Sequence, residues 1–273
     1  MADLFGRRVA VDIGTAGGSG DRIEGLRIHV RSRRTQSGSA DPATITVTNG
    51  PPAVLGRLQD RGTVTRILAG YGDQLTQVVY GTTVVGSVRG PEQRGADLIT
   101  TWQVLDGGTA YASEPVMRAW VGSVRASEVV QALAADIGIP VAGLELADDV
   151  TFPRAYLASG GLRRVLDDVT GAASSVWSII GGRLYVWPRG RRRVETSLVL
   201  GYGSGLVERP AKVDDRRWRV VALAQPGTLP GDRYTVDADP GRGQYVAEDV
   251  EHDLDSLGYG PFTTTIIGRI DGR

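Results

Sequence analysis

Apolar and polar residues alternate in short runs along the first hundred residues, which is the pattern of half-buried β-strands. Leu26, Ile28 and Val30 alternate with basic residues, and Val, Ile and Thr are frequent in the other runs. Polar stretches such as 32–41 separate the runs and predict loops. The predicted strands are 8–13, 26–31, 43–48, 63–69, 78–88 and 98–105.

The apolar period becomes helical near the middle of the chain. The apolar residues of 129–137 fall on one helical face, with Ser127 as the expected N-cap and Gly138 just beyond the helix end. A second helix is predicted over 162–170, where apolar residues recur every three or four positions, and Gly171 is expected to end it.

Two further strands complete this middle region. They are predicted over 176–180 and 183–187, and a two-residue turn, Gly181-Gly182, joins them. Such a turn requires positive φ angles, which glycine adopts without steric cost. The middle of the chain is therefore predicted to be a small α/β unit.

Strands return after this unit and continue to the end of the chain. Glycine- and proline-rich turns separate them, which is typical of an antiparallel β structure. The predicted strands are 195–200, 218–224, 233–237, 244–252 and 262–270. We therefore predict a mainly β fold with an α/β insert, divided into domains over 1–108, 109–190 and 191–273.

The two β regions resemble each other in the order of their elements. Each has a strand, a proline-containing connection, a second strand, a glycine-containing turn, a long third strand, a polar loop and a fourth strand followed by Asp-Gly. This agreement predicts an internal duplication. The alternative is two unrelated antiparallel β units, because all such units share turn chemistry.

Composition excludes several classes of protein. Lys and Arg together number 31, as do Asp and Glu, so no overall charge draws the chain to nucleic acid or to an anionic membrane. There is no cysteine, which leaves no disulfide, no thiol nucleophile and no thiolate metal site. We expect no signal peptide and no membrane-spanning segment.

Histidine chemistry is limited to His29 and His252. Two histidines exclude most metal sites and catalytic triads that depend on this residue. His29 alternates with arginines on a predicted strand, and His252 lies within an acidic stretch. We expect both to be surface residues.

Carboxylates cluster near the C-terminus in a way that could suggest calcium binding or glycoside hydrolysis. The stretch lacks the glycine and the closing glutamate of an EF-hand, so a solvated strand edge or a subunit contact is the favoured interpretation. In each of the pairs Asp148-Asp149 and Asp167-Asp168, one carboxylate is interpreted as solvated. The clustered residues are Glu248, Asp249, Glu251, Asp253 and Asp255.

Glycine-rich runs and their serines do not match known catalytic motifs. The runs 14–20 and 201–205 lack the spacing of phosphate-binding loops. Ser19 and Ser204 lie in Gly-Ser-Gly, whereas a nucleophile elbow requires Gly-x-Ser-x-Gly. We interpret both runs as turns and predict no catalytic, cofactor-binding or metal-binding residue.

Arginines form two basic clusters, at Arg189, Arg191, Arg192 and Arg193 and at Arg31, Arg33 and Arg34. Such clusters can contact phosphates without recognising sequence. A solvated interdomain loop or an ion pair between subunits is the favoured interpretation. Core or interface packing is expected for the tryptophans of the predicted strands, namely Trp102, Trp177, Trp187 and Trp218.

Several short motifs, in their order along the chain, resemble the tail-hub proteins of tailed phages, a group that includes late control protein D relatives. In the N-terminal part these are Leu68-Ala69-Gly70-Tyr71, Val79-Tyr80-Gly81 and Val104-Leu105-Asp106-Gly107. In the C-terminal part they are Ser204-Gly205-Leu206-Val207, Leu229-Pro230-Gly231-Asp232, Gly243-Gln244-Tyr245-Val246 and Val250-Glu251-His252-Asp253.

The resemblance implies two tail-tube-like β-barrels in one chain, flanking the small α/β domain. Three copies would form a homotrimeric ring whose six barrels continue a sixfold tail tube, so that the chain is a symmetry adaptor. The implied partners are the tail tube protein, a spike or central fibre protein, other baseplate proteins and the tape-measure protein. DNA would pass through the ring without specific binding during ejection.

The resemblance also implies a non-enzymatic structural protein without a cofactor, located in the virion tail and assembled in the host cytoplasm. Because the chain is shorter than many hubs, a peripheral domain is expected to be missing. The alternatives are a tail-tube or distal-tail adaptor protein, a tail-associated peptidoglycan hydrolase and a host-surface carbohydrate-binding module. An internal duplication argues against the first, and the absence of a cleft-forming segment argues against the second.

Overall fold

A computed structural model describes residues 6–15, 18, 20–36, 42–106 and 115–271. In the N-terminal part the elements are β1 (Arg7–Thr15), β2 (Gly20–Ile23), β3 (Ile28–Thr35), β4 (Ala43–Thr48), α1 (Pro52–Gly56), β5 (Thr63–Tyr71), β6 (Gln74–Thr83), β7 (Arg89–Arg94) and β8 (Asp97–Asp106).

In the middle part the elements are β9 (Pro115–Val121), β10 (Val124–Arg125), α2 (Ala126–Asp136), β11 (Val141–Leu144), β12 (Thr151–Phe152), β13 (Ala155–Gly161), α3 (Leu162–Ala172), β14 (Ser175–Ile180) and β15 (Arg183–Pro188). In the C-terminal part they are β16 (Val194–Leu200), β17 (Ala211–Lys212), β18 (Arg217–Leu223), β19 (Asp232–Val236), β20 (Gly243–Asp255) and β21 (Phe262–Ile270).

One continuous sheet contains strands from both ends of the chain. Its hydrogen-bonded order is β17-β18-β21-β20-β3-β4-β8-β6-β5-β1-β2, with β7 on β8, β19 on β20 and β16 on β19. The antiparallel pair β3–β20 joins the N-terminal strands to the C-terminal strands. We refer to this pair as the seam, because all sheet hydrogen bonds between the two β regions in the described residues pass through it.

The two β regions share one pairing order. In the N-terminal part β4 pairs with β8, β8 with β6 and β6 with β5. In the C-terminal part β18 pairs with β21, β21 with β20 and β20 with β19. All six pairs are antiparallel, and each connection falls at the corresponding place. This correspondence supports the predicted duplication.

The mainly β fold class is confirmed, whereas closure of each β region into a barrel stays a prediction. Among the described residues the N-terminal strands end at β2, which pairs only with β1, and the C-terminal strands end at β16 and β17, which pair only with β19 and β18. The predicted domain boundaries also stay predictions, and the first of them, at 108, lies outside the described residues.

Apolar side chains pack into a separate core beneath each β region, as the alternation in the sequence predicts. In β4 the residues Ala43, Ile45 and Val47 are buried, and the threonines between them are partly exposed. The N-terminal core also contains Leu254 and Phe262 from the C-terminal strands. The two β regions therefore share apolar packing as well as backbone hydrogen bonds at the seam.

The middle part contains two helices and a three-stranded sheet that share a core of their own, and we refer to it as the α/β unit. The apolar faces of α2 and α3 pack onto the three-stranded sheet β11-β15-β14. Gly181 and Gly182 have φ angles of +61° and +76°, which confirms the predicted turn between β14 and β15. A separate antiparallel ribbon, β9–β13, packs against α3.

Helix ends differ from the sequence prediction by one or two residues. The helix α2 begins at Ala126, one residue before the predicted N-cap Ser127. The carboxylate of Asp149 accepts hydrogen bonds from both the backbone N–H and the hydroxyl of Ser127, at 2.9 and 2.8 Å. The helix α3 continues through Gly171, and the reversal follows at Ser174, where φ is +50°. Tertiary contacts therefore override the local end signals.

Strand prediction was right where alternation is strong and failed where it is weak. The prediction 78–88 is partly wrong, because β6 ends at Thr83 and the following residues turn toward β7. The short or mostly exposed strands β2, β7, β9 and β13 were not predicted. Each of them lacks the sustained apolar alternation on which strand prediction depends.

We predict that Leu254→Ala lowers the free energy of unfolding by about 2–5 kcal/mol, because Leu254 is fully buried opposite Val30 at the seam. Urea denaturation followed by circular dichroism measures the change. Leu98→Ala is the matched control, because Leu98 is 45% exposed, and we expect it to cost less than about 1 kcal/mol. Equal losses in the two variants would contradict the structural role assigned to the seam.

Candidate assembly surfaces

The outer face of the seam is a ladder of opposite charges. The basic residues of β3 and the acidic residues of β20 occupy alternate positions, so their side chains project from the same face. Ion pairs join Arg31 to Asp253 at 3.2 Å and Arg33 to Asp249 at 2.5 Å. His29 Nε2 lies 2.6 Å from the Asp253 carboxylate. The ladder selects one register of the two strands, because a slip by one residue would reverse the faces.

The ladder also lowers the pKa of one of its acids, Asp253. Burial by itself would raise the pKa of Asp253, but the hydrogen bond and charge of His29, together with the charge of Arg31, outweigh burial and lower this pKa. Since the arginines are about half exposed, each pair contributes only roughly 0.2–1 kcal/mol. The apolar face beneath them contributes more to stability.

This arrangement corrects two interpretations of the sequence. The acidic stretch is not a solvated strand edge, because β20 lies inside the sheet between β3 and β21. The cluster Arg31, Arg33 and Arg34 lies on strand β3 and not in a loop. Each of the three arginines forms an ion pair within the chain, so an acidic partner from another subunit is not required. In both the basic and the acidic cluster, charged residues recur at every second position. This shared spacing was the feature of the sequence that could have indicated that the two strands pair.

A buried ion pair anchors the α/β unit to the β sheet. The guanidinium of Arg34 donates to the carboxylate of Asp106 at 2.5 Å, and both side chains are nearly excluded from water. The same carboxylate accepts the backbone N–H groups of Gly181 and Gly182, at 3.1 Å each. The carboxylate of Asp106, which lies on β8, therefore connects this strand to β3 and to the β14–β15 turn. We refer to the ion pair of Arg34 and Asp106 as the anchor.

His252 contradicts the expectation of a surface residue. It is 1% exposed and its Nδ1 lies 2.9 Å from the hydroxyl of Thr264. Burial lowers the pKa of His252 to about 3, and the nearby charge of Arg34 acts in the same direction. The imidazole is therefore neutral at pH 7. His29 lies on the outer face of the seam, as expected, and is half buried there.

Some of the charged residues considered in the sequence analysis form specific hydrogen bonds or ion pairs within the fold. Asp149 caps α2, and Asp167 accepts a hydrogen bond from the indole of Trp177 at 2.8 Å. In the basic cluster that follows β15, Arg193 pairs with the buried Asp232 at 2.5 Å, so the expectation of a solvated loop is wrong for Arg193. The other members, Arg189, Arg191 and Arg192, are exposed.

The serine and tryptophan interpretations agree with the structure where it describes them. The hydroxyl of Ser204 accepts the backbone N–H of Gly201 at 2.8 Å and closes a turn. Ser19 lies outside the described residues. Core packing is confirmed for Trp102, Trp177 and Trp187, and Trp218 is partly buried beside the C-terminal core.

Within the described ranges no group of acidic and histidine side chains could hold a metal ion. None of the described helices is long and apolar enough to cross a membrane.

The ribbon β9–β13 exposes an uncharged, largely apolar face. Met117, Val121 and Leu157 are 84%, 99% and 64% exposed. The other exposed residues on this face are Ala119, Ala155 and Ser159, which oppose them in the register, and the end pair Pro115 and Gly161. Exposed apolar surfaces of this kind mark contact sites on soluble proteins. We call this surface the ribbon face.

An open cleft lies where the α/β unit meets both β regions, so the expectation that the chain has no cleft-forming segment is wrong. Its volume is about 790 Å³, and its walls come from β6, from the segment 137–140, from the β14–β15 turn and from the connection 226–229. Tyr80, Ile139, Tyr185 and Leu229 provide apolar and aromatic surface, and Arg183 is the one charged side chain among the described residues that line the cleft.

We predict that Asp106→Ala lowers the free energy of unfolding by about 3–5 kcal/mol. The buried guanidinium of Arg34 would lose its counter-charge and retain the backbone carbonyl of Val78 as an acceptor, and the backbone N–H groups of Gly181 and Gly182 would lose the carboxylate that accepts them. The double variant Arg34→Met with Asp106→Leu removes both charges and should recover at least half of that loss. Denaturant titration measures both variants. A double variant as unstable as Asp106→Ala would show that the cost does not arise from an unpaired charge.

We predict an acid-sensitive contribution from His252. Because its pKa is about 3 when folded and about 6.5 when unfolded, protonation favours the unfolded chain between these pH values. Its contribution to stability is complete above pH 6.5 and declines as pH falls, by roughly 2 kcal/mol between pH 7 and pH 5. Denaturation of the wild type and of His252→Asn at both pH values measures this difference. An equal loss in the two proteins would contradict the assignment.

No family model matches the chain, and no curated protein sequence matches it. A tail protein from Neisseria meningitidis MC58 is similar in structure, with a TM-score of 0.63, 14% identity and coverage of 98% of each chain. The 43 kDa tail protein of prophage MuSo2 from Shewanella oneidensis has a TM-score of 0.67 and 9% identity, over 97% of this chain and 98% of that one.

A third similar structure is a component of the type VI secretion system of E. coli, itself described as structurally similar to the T4 bacteriophage tail proteins gp27 and gp5. It has a TM-score of 0.57 and 10% identity, over 91% of this chain and 73% of that one. The likeness agrees with the resemblance in the sequence motifs. This chain therefore has a fold found in phage tail proteins and in a type VI secretion component.

Proposed function

We propose that the chain is a structural, non-enzymatic component of the tail of a phage or phage-like injection particle. The observation that carries the proposal is the full-length likeness to two tail proteins, which covers nearly all of each chain. The similarity extends over 97–98% of this chain, so the compared region includes the α/β unit as well as both β regions.

Within the tail, the proposed role is that of the hub, a homotrimeric ring between the tail tube and the baseplate or spike. The shared pairing order of the two β regions supports this role, because a trimer can meet a sixfold tube if each chain presents two similar docking units. The proposed domains are 1–108, 109–190 and 191–273, and the first and last are the proposed tail-tube-like barrels.

The proposed neighbours are the tail tube protein, a spike or central fibre protein, other baseplate proteins and the tape-measure protein. The ring would surround a channel through which DNA passes during ejection. The balanced charge of the chain supports passage without tight binding, because acidic residues compensate the arginines that could hold phosphate. The proposed location is the virion tail, after assembly in the host cytoplasm.

Two observations favour this role over the alternatives. Among the described residues that line the cleft, Arg183 is the one charged side chain, and none of them supplies the carboxylate that a glycoside hydrolase requires. A carbohydrate-binding module presents exposed aromatic rings. Each tryptophan of this chain is buried or half buried, and the exposed aromatic rings among the described residues are the tyrosines Tyr202 and Tyr259. A tail-tube or distal-tail adaptor with one barrel per chain is the nearest alternative, and copy number distinguishes it.

We expect electron microscopy of native particles to show three copies of the chain in one ring, with both β regions of each copy facing the tube. Mass photometry of the purified chain provides a second measurement of copy number. Six copies with one unit each facing the tube would identify a tube or distal-tail protein instead. A monomer within intact particles would contradict both roles.

We expect the double variant Val121→Glu with Leu157→Glu to fold normally but to enter particles at least tenfold less than the wild type. The two carboxylates would place charge on the exposed ribbon face, which a neighbouring protein would have to bury. Quantitative mass spectrometry of purified particles measures incorporation, and thermal unfolding checks the fold. Val85→Glu is the control, because Val85 is likewise strongly exposed, at 84%, but lies outside this face. Normal incorporation of the double variant would exclude the ribbon face from assembly.

A further inference from the structure

We propose that the cleft between the α/β unit and the two β regions binds an extended, acidic segment of a partner protein. The cleft is complete within one chain, so the inference depends on the proposed function only for the source of the partner. It adds the chemistry of one contact to that function.

The shape and lining of the cleft fit a polypeptide. A volume of about 790 Å³ accommodates a short extended segment rather than a metal ion or a small anion. The side chains of Tyr80, Tyr185 and Leu229 offer apolar and aromatic contact surface. Thr76 and Gln77 on β6 supply polar groups at the rim, which can hydrogen-bond to the backbone of a bound segment.

Charge selects the kind of segment. Arg183 is exposed at the edge of the cleft, and no described carboxylate forms an ion pair with it. The arginines of the seam and the anchor differ in this respect, because they have acidic partners within the chain. A guanidinium binds a carboxylate through two parallel hydrogen bonds, so a glutamate or aspartate of the partner is the complementary group.

A nucleic acid fits the cleft less well than an acidic peptide. Strands of DNA or RNA are held by rows of cations that follow successive phosphates, whereas this cleft provides one arginine between apolar walls. Another copy of the chain is a third possible occupant. The experiment separates these occupants.

The test is photo-crosslinking of the full-length chain in cells that naturally produce it. The photoreactive amino acid p-benzoylphenylalanine replaces Thr76, which is exposed and lines the cleft. The same substitution at Tyr202, which is 61% exposed and lies outside the cleft, is the control. Mass spectrometry identifies the crosslinked peptides. We expect position 76, and not position 202, to crosslink to a segment of another protein that carries Asp or Glu beside apolar residues.

A charge exchange then tests the role of Arg183. We expect Arg183→Glu to reduce the crosslink from position 76 at least tenfold, and replacement of the partner's acidic residue by arginine to restore it. Arg191→Glu, a reversal at an exposed arginine outside the cleft, should leave the yield unchanged.

Crosslinks to nucleic acid, to another copy or to the chain itself would overturn the proposal. The absence of a crosslink above the control, or of any effect of Arg183→Glu, would also overturn it. Imaging of the same particles reports the ring independently, so failure of this inference is distinguishable from failure of the proposed function.

Discussion

The pairing of β3 with β20 is the constraint on which the rest of the structure depends. These strands come from opposite ends of the chain, and contacts across them join residues as far apart in sequence as Arg27 and Asp255. Without the seam, each β region would end in an unpaired strand, and unpaired strand edges promote aggregation. The seam also places Leu254 in the N-terminal core. Backbone pairing and apolar burial therefore act together at one place.

The two faces of the seam have different physical roles. On the outer face, half-exposed ion pairs add little stability, but they distinguish the correct register from its alternatives. On the inner face, Arg34 reaches Asp106, whose carboxylate also holds the turn at Gly181 and Gly182. The same strand, β3, thus positions the C-terminal β region through one face and the α/β unit through the other.

The surfaces available to partners lie on and beside the α/β unit. The ribbon face is apolar and unpaired, and the cleft collects residues from the α/β unit and from both β regions. The cleft depends on the anchor, because the Asp106 carboxylate holds the β14–β15 turn that forms one of its walls. A protein whose proposed role is assembly therefore has its rigid connections at the seam and its exposed apolar surface away from it.

The sequence by itself determined the class of the fold and the type of its strongest elements. Alternation along β4 and β21, helical periodicity in α2 and α3 and the Gly181-Gly182 turn are local patterns, and local patterns reflect backbone geometry directly. Short exposed strands such as β9 were missed, because their outer residues are apolar and do not alternate with polar ones. The order of weak motifs along the chain was sufficient to indicate a phage tail fold, and the comparison of structures agrees with it.

Only the tertiary structure decided which charges meet and which are buried. Arg33 and Asp249, about two hundred residues apart, look like separate solvated clusters in the sequence, and they become partners when β3 pairs with β20. His252 has acidic neighbours in the sequence, but strand geometry turns its side chain to the opposite face, into the core. Ionisation and partner choice depend on neighbours in space, and a linear pattern contains no distances between strands. For this reason the anchor, the ribbon face and the cleft could not be predicted from the sequence.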